Sequence, residues 1–347
     1  MKNLLRKAPP RSASGASPPG GRHQRPGEAG SAVAHEGASP GNAEHVLRRL
    51  EWTVIRRLDG LLQGDYRTLM RGAGLDLADL REYQHYDDVR HIDWNVTARL
   101  SQPHVRVFTE DREMAAWFLL DLSPSVDFGS GEQRKRNVSA EFVAVLARLL
   151  TRHGNRVGAV LYGAGVDTVI PTRGGRRHVL RLLHSMQERP APSEAGTTRL
   201  RDLLEAGARL IKRRSTVFVV SDFISEPGWE RPLGLLAQRH EVVAVRLLDP
   251  LELAMPDLGL VTLRDAETGE QILVDTHDAG FRKRFSRIAA QREAELRQAL
   301  ARARVDALEL STDGNLVDAI VRFTEMRKRR ARLSAGGRMP AHLKKAA

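Results

Sequence analysis

Trp117-Phe118-Leu119-Leu120-Asp121-Leu122-Ser123-Pro124-Ser125 joins an apolar run to a carboxylate and then to two hydroxyls at alternate positions. A stretch such as Ala115 to Leu120 suits a strand buried on both faces, as in the parallel sheet of an α/β domain. Ligands of such sheets bind beyond the carboxyl ends of the strands. Asp121, Ser123 and Ser125 then supply one carboxylate and two hydroxyls at that rim. Oxygen donors without histidine or cysteine favour magnesium or manganese over zinc. A lone D-x-S-x-S arises by chance in roughly one chain in ten at average composition, so the reading requires further ligands.

Downstream of Met114, apolar strands alternate with helical patterns. Strands are predicted at 114–121, 156–162, 166–171, 216–222, 242–248 and 307–311. Helices are predicted near 135–153, 175–187, 198–213, 230–239, 279–303 and 315–333. Such alternation implies an α/β fold with a doubly wound, mostly parallel sheet. Residues 259–276 read as a hairpin with Thr268-Gly269 in its turn. The strand Val217 to Val220 ends in Ser221 and Asp222, which brings Asp222 towards Asp121 where strand order reverses. Between them Ala195-Gly196-Thr197-Thr198-Arg199-Leu200 is a small loop entering a helix, and its threonine offers a third hydroxyl. The bland alternative is that Asp121, Ser123 and Thr198 are turn and cap residues.

Upstream, Val46, Leu47, Leu50, Val54, Ile55 and Leu58 fall at helical spacing in a helix from Glu44 to about Leu62. It opens a small N-terminal β-rich and helical subdomain, 46–113, whose remainder is polar and turn-rich. Residues 1–45, rich in Gly, Pro, Ser and Ala, are expected to be disordered. Within them GASPG matches a nucleophile-elbow pattern but lacks its strand–helix context. Residues 324–347 form a basic tail after the α/β domain of 114–323.

The chain has 347 residues and no cysteine, which excludes disulfides, thiolate metal sites and cysteine nucleophiles. No apolar run approaches the roughly 20 residues that span a bilayer, and a cytoplasmic location is expected. The net charge of +12 lies mainly in the tails, with six basic against three acidic residues over 1–45 and eight against one over 324–347. Nucleic-acid binding calls for a basic stripe with interleaved aromatics on the fold itself, so a nucleic-acid role rests on the tails alone. Arg327-Lys328-Arg329-Arg330 ends the last helix, where cations complement the helix dipole.

Together Asp121, Ser123, Ser125, Thr198 and Asp222 resemble the metal-ion-dependent adhesion site of the von Willebrand factor A fold. The resemblance implies a doubly wound sheet with one antiparallel strand near an edge. It also implies a divalent cation, Mg2+ or Mn2+, held partly through water, with one position open to a partner's carboxylate. The chain has Gly-Thr-Thr-Arg-Leu where Gly-Gly-Thr-Asp-Leu is usual. Aligning Thr-x-Leu selects Thr198, with Thr197 as the alternative, and sets Arg199 in the place of an acid.

GAGLDLADLREYQHYDDVRHIDWNVTARL at 72–100 is similar to the signature of bacterial proteins in domain of unknown function family 58. The spacing of Leu80-Arg81-Glu82-Tyr83, Asp87-Asp88-Val89-Arg90, Ile92-Asp93-Trp94 and Ala98-Arg99 carries it, and DLSPSVDFGS, RVGAVLYG and STDGNLVDAI extend it over about residues 50–325. Tyr86 replaces a usual glycine and Val126 a common methionine. Many members also carry two membrane helices near the start. The resemblance implies an adaptor or partner of a MoxR-type AAA+ ATPase in assembly or maturation of other proteins. Arg81, Glu82, Asp87, Asp88, Arg90, Asp93 and Arg99 are candidates for an ion-pair network against the sheet, with Trp94 as a buried anchor.

The expected function is a non-enzymatic, metal-dependent protein-binding module. The rival is a metal-dependent hydrolase using Asp121 or His91. His91 and Asp93 alternate as strand ligands do, but a zinc site wants three protein ligands, and His85 and His104 lack telling spacing. P-loop, HExxH and GxGxxG motifs are missing, and Ser123 stands where a phosphoaspartate phosphatase has its second aspartate.

Overall fold

The computed structural model describes residues 4–7, 40–61, 77–84, 87, 89, 92–108, 115–188, 197–266 and 269–334. At its centre lies a six-stranded sheet built from β4 (Ala115–Asp121), β5 (Arg156–Tyr162), β6 (Val166–Arg173), β7 (Thr216–Ser221), β8 (Glu241–Leu248) and β11 (Asp306–Ser311). The spatial order is β11-β8-β7-β4-β5-β6. All neighbours pair parallel except β5 and β6. Chain order reverses between β4 and β7, so the crevice above those two strands is the natural ligand site of this topology.

Side chains alternate across the sheet with period two. Ala116, Phe118 and Leu120 of β4, with Phe218 and Val220 of β7, face one core layer. That layer is covered by α4 (Lys135–Arg152), α5 (Arg176–Gln187) and α10 (Leu316–Ser334). Leu119, Val217 and Val219 face the other layer, under α6 (Leu200–Leu210), α7 (Glu230–Arg239) and α9 (Ala279–Arg302). Gly207 lets α6 settle on β4, because a Cβ there would come within 2.7 Å of the Leu119 side chain.

The N-terminal helix runs as α1 (Pro40–Leu50), a π turn over Glu51–Ile55 and α2 (Arg56–Leu61). Leu47, Leu50, Ile55 and Leu58 are buried in the first core layer, and Glu44 and Glu51 pair with Arg176 and Arg148 at 2.6 Å each. This helix therefore packs into the core of the α/β body. Leu4–Lys7, in the stretch expected to be disordered, forms β1 against β9 (Leu260–Asp265). β9 also pairs antiparallel with β10 (Gln271–Asp275), the predicted hairpin, with Gly269 at φ +74° in its turn.

In the polar segment, β2 (Leu77–Glu82) and β3 (His104–Phe108) form an antiparallel pair joined through the helix α3 (Trp94–Leu100). Asp93 caps α3, accepting from the Asn95 and Val96 amides at 3.0 and 3.2 Å. Trp94 is 70% exposed, which corrects the expectation of a buried anchor: position one of a helix whose side chains stay unburied points it to solvent. Asp88, Arg90 and His91 lie outside the described residues. No helix among the described residues is long and apolar enough to cross a membrane.

Candidate functional site

Asp121 ends β4 and is fully buried. Its Oδ1 accepts the Ser123 amide at 3.0 Å and its Oδ2 accepts the Ser221 hydroxyl at 2.7 Å. The loop that follows turns into a 3-10 helix at Pro124, which sets the Ser123 and Ser125 hydroxyls 3.1 Å apart. Both serines are buried. Ser221 Oγ accepts the Phe223 amide at 2.9 Å, so one hydroxyl links the ends of β4 and β7. Phe223 itself takes the left-handed conformation at φ +58°, a strained geometry for a bulky side chain.

Asp222 follows β7 and is 3% exposed. Burial first, and then the negative charge of Asp222, push the Asp121 carboxyl up from 3.8 to about 6. Hydrogen bonds from Ser123 and Ser221 oppose that rise without cancelling it.

Thr198, 2% exposed, precedes α6. Its carbonyl accepts the Ser225 hydroxyl at 2.9 Å and the Glu226 amide at 3.0 Å, which fastens its loop to the one after Asp222. Thr197 is exposed and donates to Glu226 Oε1 at 2.5 Å. Arg199 is drawn outward to the same carboxylate, 3.3 Å away. The cation that stands in place of the usual acid is thus spent on a surface pair.

The structure adds a residue that the sequence reading passed over. Lys135, at the start of α4, is 1% exposed, and its Nζ lies 2.7 Å from both Asp222 Oδ2 and Glu252 Oε1. Burial alone would lower its pKa, but the two carboxylates outweigh burial and raise it. Glu252 is raised by burial, against the pull of Lys135. Its Oε2 accepts the Asp249 amide in a capping box that opens the short helix α8 (Pro250–Leu253). Asp249 is held below the usual carboxylate range: burial works against this, but the Ser130 amide and Thr312 hydroxyl outweigh it.

Asp121, Ser123, Ser125 and Ser221 therefore form one hydrogen-bonded cluster, with Asp222 close enough to repel Asp121 and Thr198 tied in through its backbone. Among the described residues, no group of three or more His, Cys, Asp or Glu side chains could hold a metal ion. Any cation here would need the hydroxyls.

Fold and rim define an α/β domain with a buried acid and hydroxyl centre at its strand reversal. The chain belongs to the family described as "Protein of unknown function DUF58", whose model matches residues 79–295. It is 38% identical over 289 residues to "Uncharacterized protein Rv1480" of Mycobacterium tuberculosis, covering 82% of this chain and 90% of that protein. To "Uncharacterized protein MAV169" of Mycobacterium avium it is 36% identical over 164 residues, covering 47% of this chain and 96% of that one. Among solved structures it is similar to the conserved hypothetical protein BatB from Bacteroides thetaiotaomicron, at TM-score 0.40 and 13% identity over 62% of this chain and 99% of that chain. An aerotolerance-related membrane protein from Bacteroides fragilis aligns at TM-score 0.41 and 11% identity, with the same coverage of both chains.

Proposed function

We propose that this chain is a divalent-cation-dependent protein-binding module of von Willebrand factor A type. In this reading Asp121, Ser123, Ser125, Thr198 and Asp222 hold Mg2+ or Mn2+. The observation that carries it is the buried Asp121 carboxyl, raised by its own burial and by Asp222, with two serine hydroxyls in contact beside it. A cation would offset that repulsion, and the donor set is oxygen throughout, as magnesium prefers. Both oxygens of Asp121 and of Asp222 already accept a hydrogen bond. This suits the serine hydroxyls as direct donors, with the carboxylates acting through the ion's retained waters. The single antiparallel strand at the sheet edge agrees with the same fold type.

The partner in this reading is a MoxR-type AAA+ ATPase, which the module would join in assembly or maturation of client proteins. An ion left with an open coordination position would make that contact dependent on a partner carboxylate.

The test is a thermal melt with and without magnesium. At a free magnesium level ten times its dissociation constant, binding adds about 1.4 kcal/mol, a rise of roughly 3–6 °C for a domain of this size. Asp121→Ala is expected to abolish the rise, and equal responses of wild type and variant would overturn the site. Retention of the ATPase by wild type only with magnesium, and not by Asp121→Ala, is the corresponding partner assay.

A further inference from the structure

We infer that the groove between the loop after β7 and helix α9 docks a basic amphipathic segment of a partner protein, at a place that adjoins the proposed cation site through Asp222 but lies clear of the Ser123, Ser125 and Thr198 hydroxyls. The groove, of about 400 Å³, has one wall formed by α9 and the other by residues 222–230. Its apolar lining is formed by Ile224, Leu253 and Leu296, backed by the largely buried rings of Phe223 and Trp229. Phe223 and Trp229 meet edge to face at 5.4 Å between ring centroids, which gives that wall a fixed shape.

Charge selects the occupant. In a chain of net charge +12, seven of the lining residues are acidic and two are arginines. Most of these acids are already answered. Asp222 and Glu252 share Lys135, Glu293 pairs with Arg246, and Glu226 pairs with Arg199. Glu230 and Glu295 are different. Glu230 accepts the Gly228 amide at 3.0 Å and Glu295 accepts the Gln291 side-chain amide at 2.9 Å, and neither takes part in an ion pair among the described residues. Both also line a second concavity that continues the groove between α7 and α9, together with Arg231 and Arg302, so the excess of acid lies in the first groove. Two carboxylates without an ion pair among the described residues therefore stand where the two hollows join, beside an apolar wall. Lysine or arginine side chains spaced by apolar ones satisfy both features at once, in the manner of a helix laid in a groove. An acidic or purely apolar segment satisfies one at most. Arg246, 8% exposed in the groove lining, leaves its Nε without an acceptor among the described residues, which a main-chain carbonyl could supply.

The experiment uses the full chain in EDTA, which keeps it independent of the metal reading. The probe is a fluorescein-labelled, helix-forming peptide of leucine and lysine, about ten residues long with its lysines on one face, followed by fluorescence anisotropy. The double variant Glu230→Gln/Glu295→Gln is expected to bind about tenfold more weakly, which corresponds to about 1.4 kcal/mol. Glu325→Lys, on the opposite face of the sheet, is expected to bind as wild type does. An oligolysine of equal charge, lacking the apolar residues, is expected to bind more weakly than the probe. Loss of affinity in the Glu325→Lys control equal to that in the double variant, an unchanged double variant, or oligolysine binding as tightly as the probe would each overturn the proposal.

Discussion

Methionine at position 135 keeps most of the reach of the lysine stem and deletes its charge. In the wild type, one ammonium lies 2.7 Å from Asp222 and 2.7 Å from Glu252, with the lysine and Asp222 side chains almost wholly buried. Taking away one partner of a buried ionic group leaves the others uncompensated, at a cost of about 3–5 kcal/mol. For a domain of this size that corresponds to a fall in melting temperature of roughly 6–20 °C. The pH dependence carries a second signature. Burial already raises Glu252, and loss of the ammonium raises it further. A carboxyl raised in the folded state contributes stability at low pH that disappears as pH rises through its folded pKa. The deficit of Lys135→Met relative to wild type is therefore expected to be largest near pH 7.5 and to shrink towards pH 5, as protonation removes the unpaired charge. Urea unfolding at both pH values measures this. A variant within about 1 kcal/mol of wild type at pH 7.5, or a deficit that grows as pH falls, would refute the ion triad.

Asp121→Asn keeps the shape of the side chain and removes the charge. With the carboxyl raised from 3.8 to about 6, the metal-free variant is expected to gain up to about 3 kcal/mol over wild type above pH 7 and nothing near pH 4; a pH-independent difference in urea unfolding would count against the repulsion. His240 is buried with neither ring nitrogen partnered among the described residues, and burial first, then Arg239, lower its pKa. Its neutral form is therefore favoured in the fold, stability falls as pH drops through the unfolded value near 6.5, and His240→Leu is expected to melt progressively higher than wild type between pH 7.5 and 5.5. Trp94→Ser, at a 70% exposed position, is expected to shift stability by less than about 0.5 kcal/mol; a loss above about 2 kcal/mol would restore the buried-anchor reading.

The central sheet was legible almost residue for residue, because strands buried on both faces write themselves as apolar runs. The strand predicted at 156–162 is β5 as observed, and those predicted at 216–222 and 242–248 end or begin within one residue of β7 and β8. Helices with one apolar stripe were equally plain, as at 230–239. The N-terminal subdomain reads as β-rich and helical, but its pattern does not place the strands β2 and β3, for the opposite reason. LADLRE and HVRVF are short and charged, and their pairing is a long-range event that local pattern does not record. The π turn at Glu51–Ile55 left no trace in the spacing either. At Trp94 composition misled: a large aromatic reads as core until its place on a helix with no buried face is known.

At the site, Asp121, Ser123 and Asp222 were readable because strand ends announce themselves, whereas Lys135 was hidden in Arg134-Lys135-Arg136, which looks like a solvated helix start. A signal was nevertheless present. Lys135, Val138, Ser139 and Phe142 fall at spacings of three and four, and all four are buried, so the lysine sits on the apolar stripe of α4 and must bring its charge to a partner. That partner is Asp222, and the consequence reaches the metal reading. The rim draws together Asp121, Asp222 and Glu252, and Lys135 answers only the last two directly. Asp121 is left with hydroxyl and amide donors but no ion pair among the described residues; its burial, and then Asp222, push it high, whereas the Ser130 and Thr312 hydrogen bonds outweigh burial at Asp249 and hold it low. A cation bound beside Ser123 and Ser125 would meet one uncompensated carboxylate and one already shared with an ammonium. Its affinity should therefore rise when Lys135 is removed, although the apo fold weakens. Magnesium should raise the melting temperature of Lys135→Met by more than that of wild type, an ordering that a purely structural lysine with no cation site nearby has no means to produce.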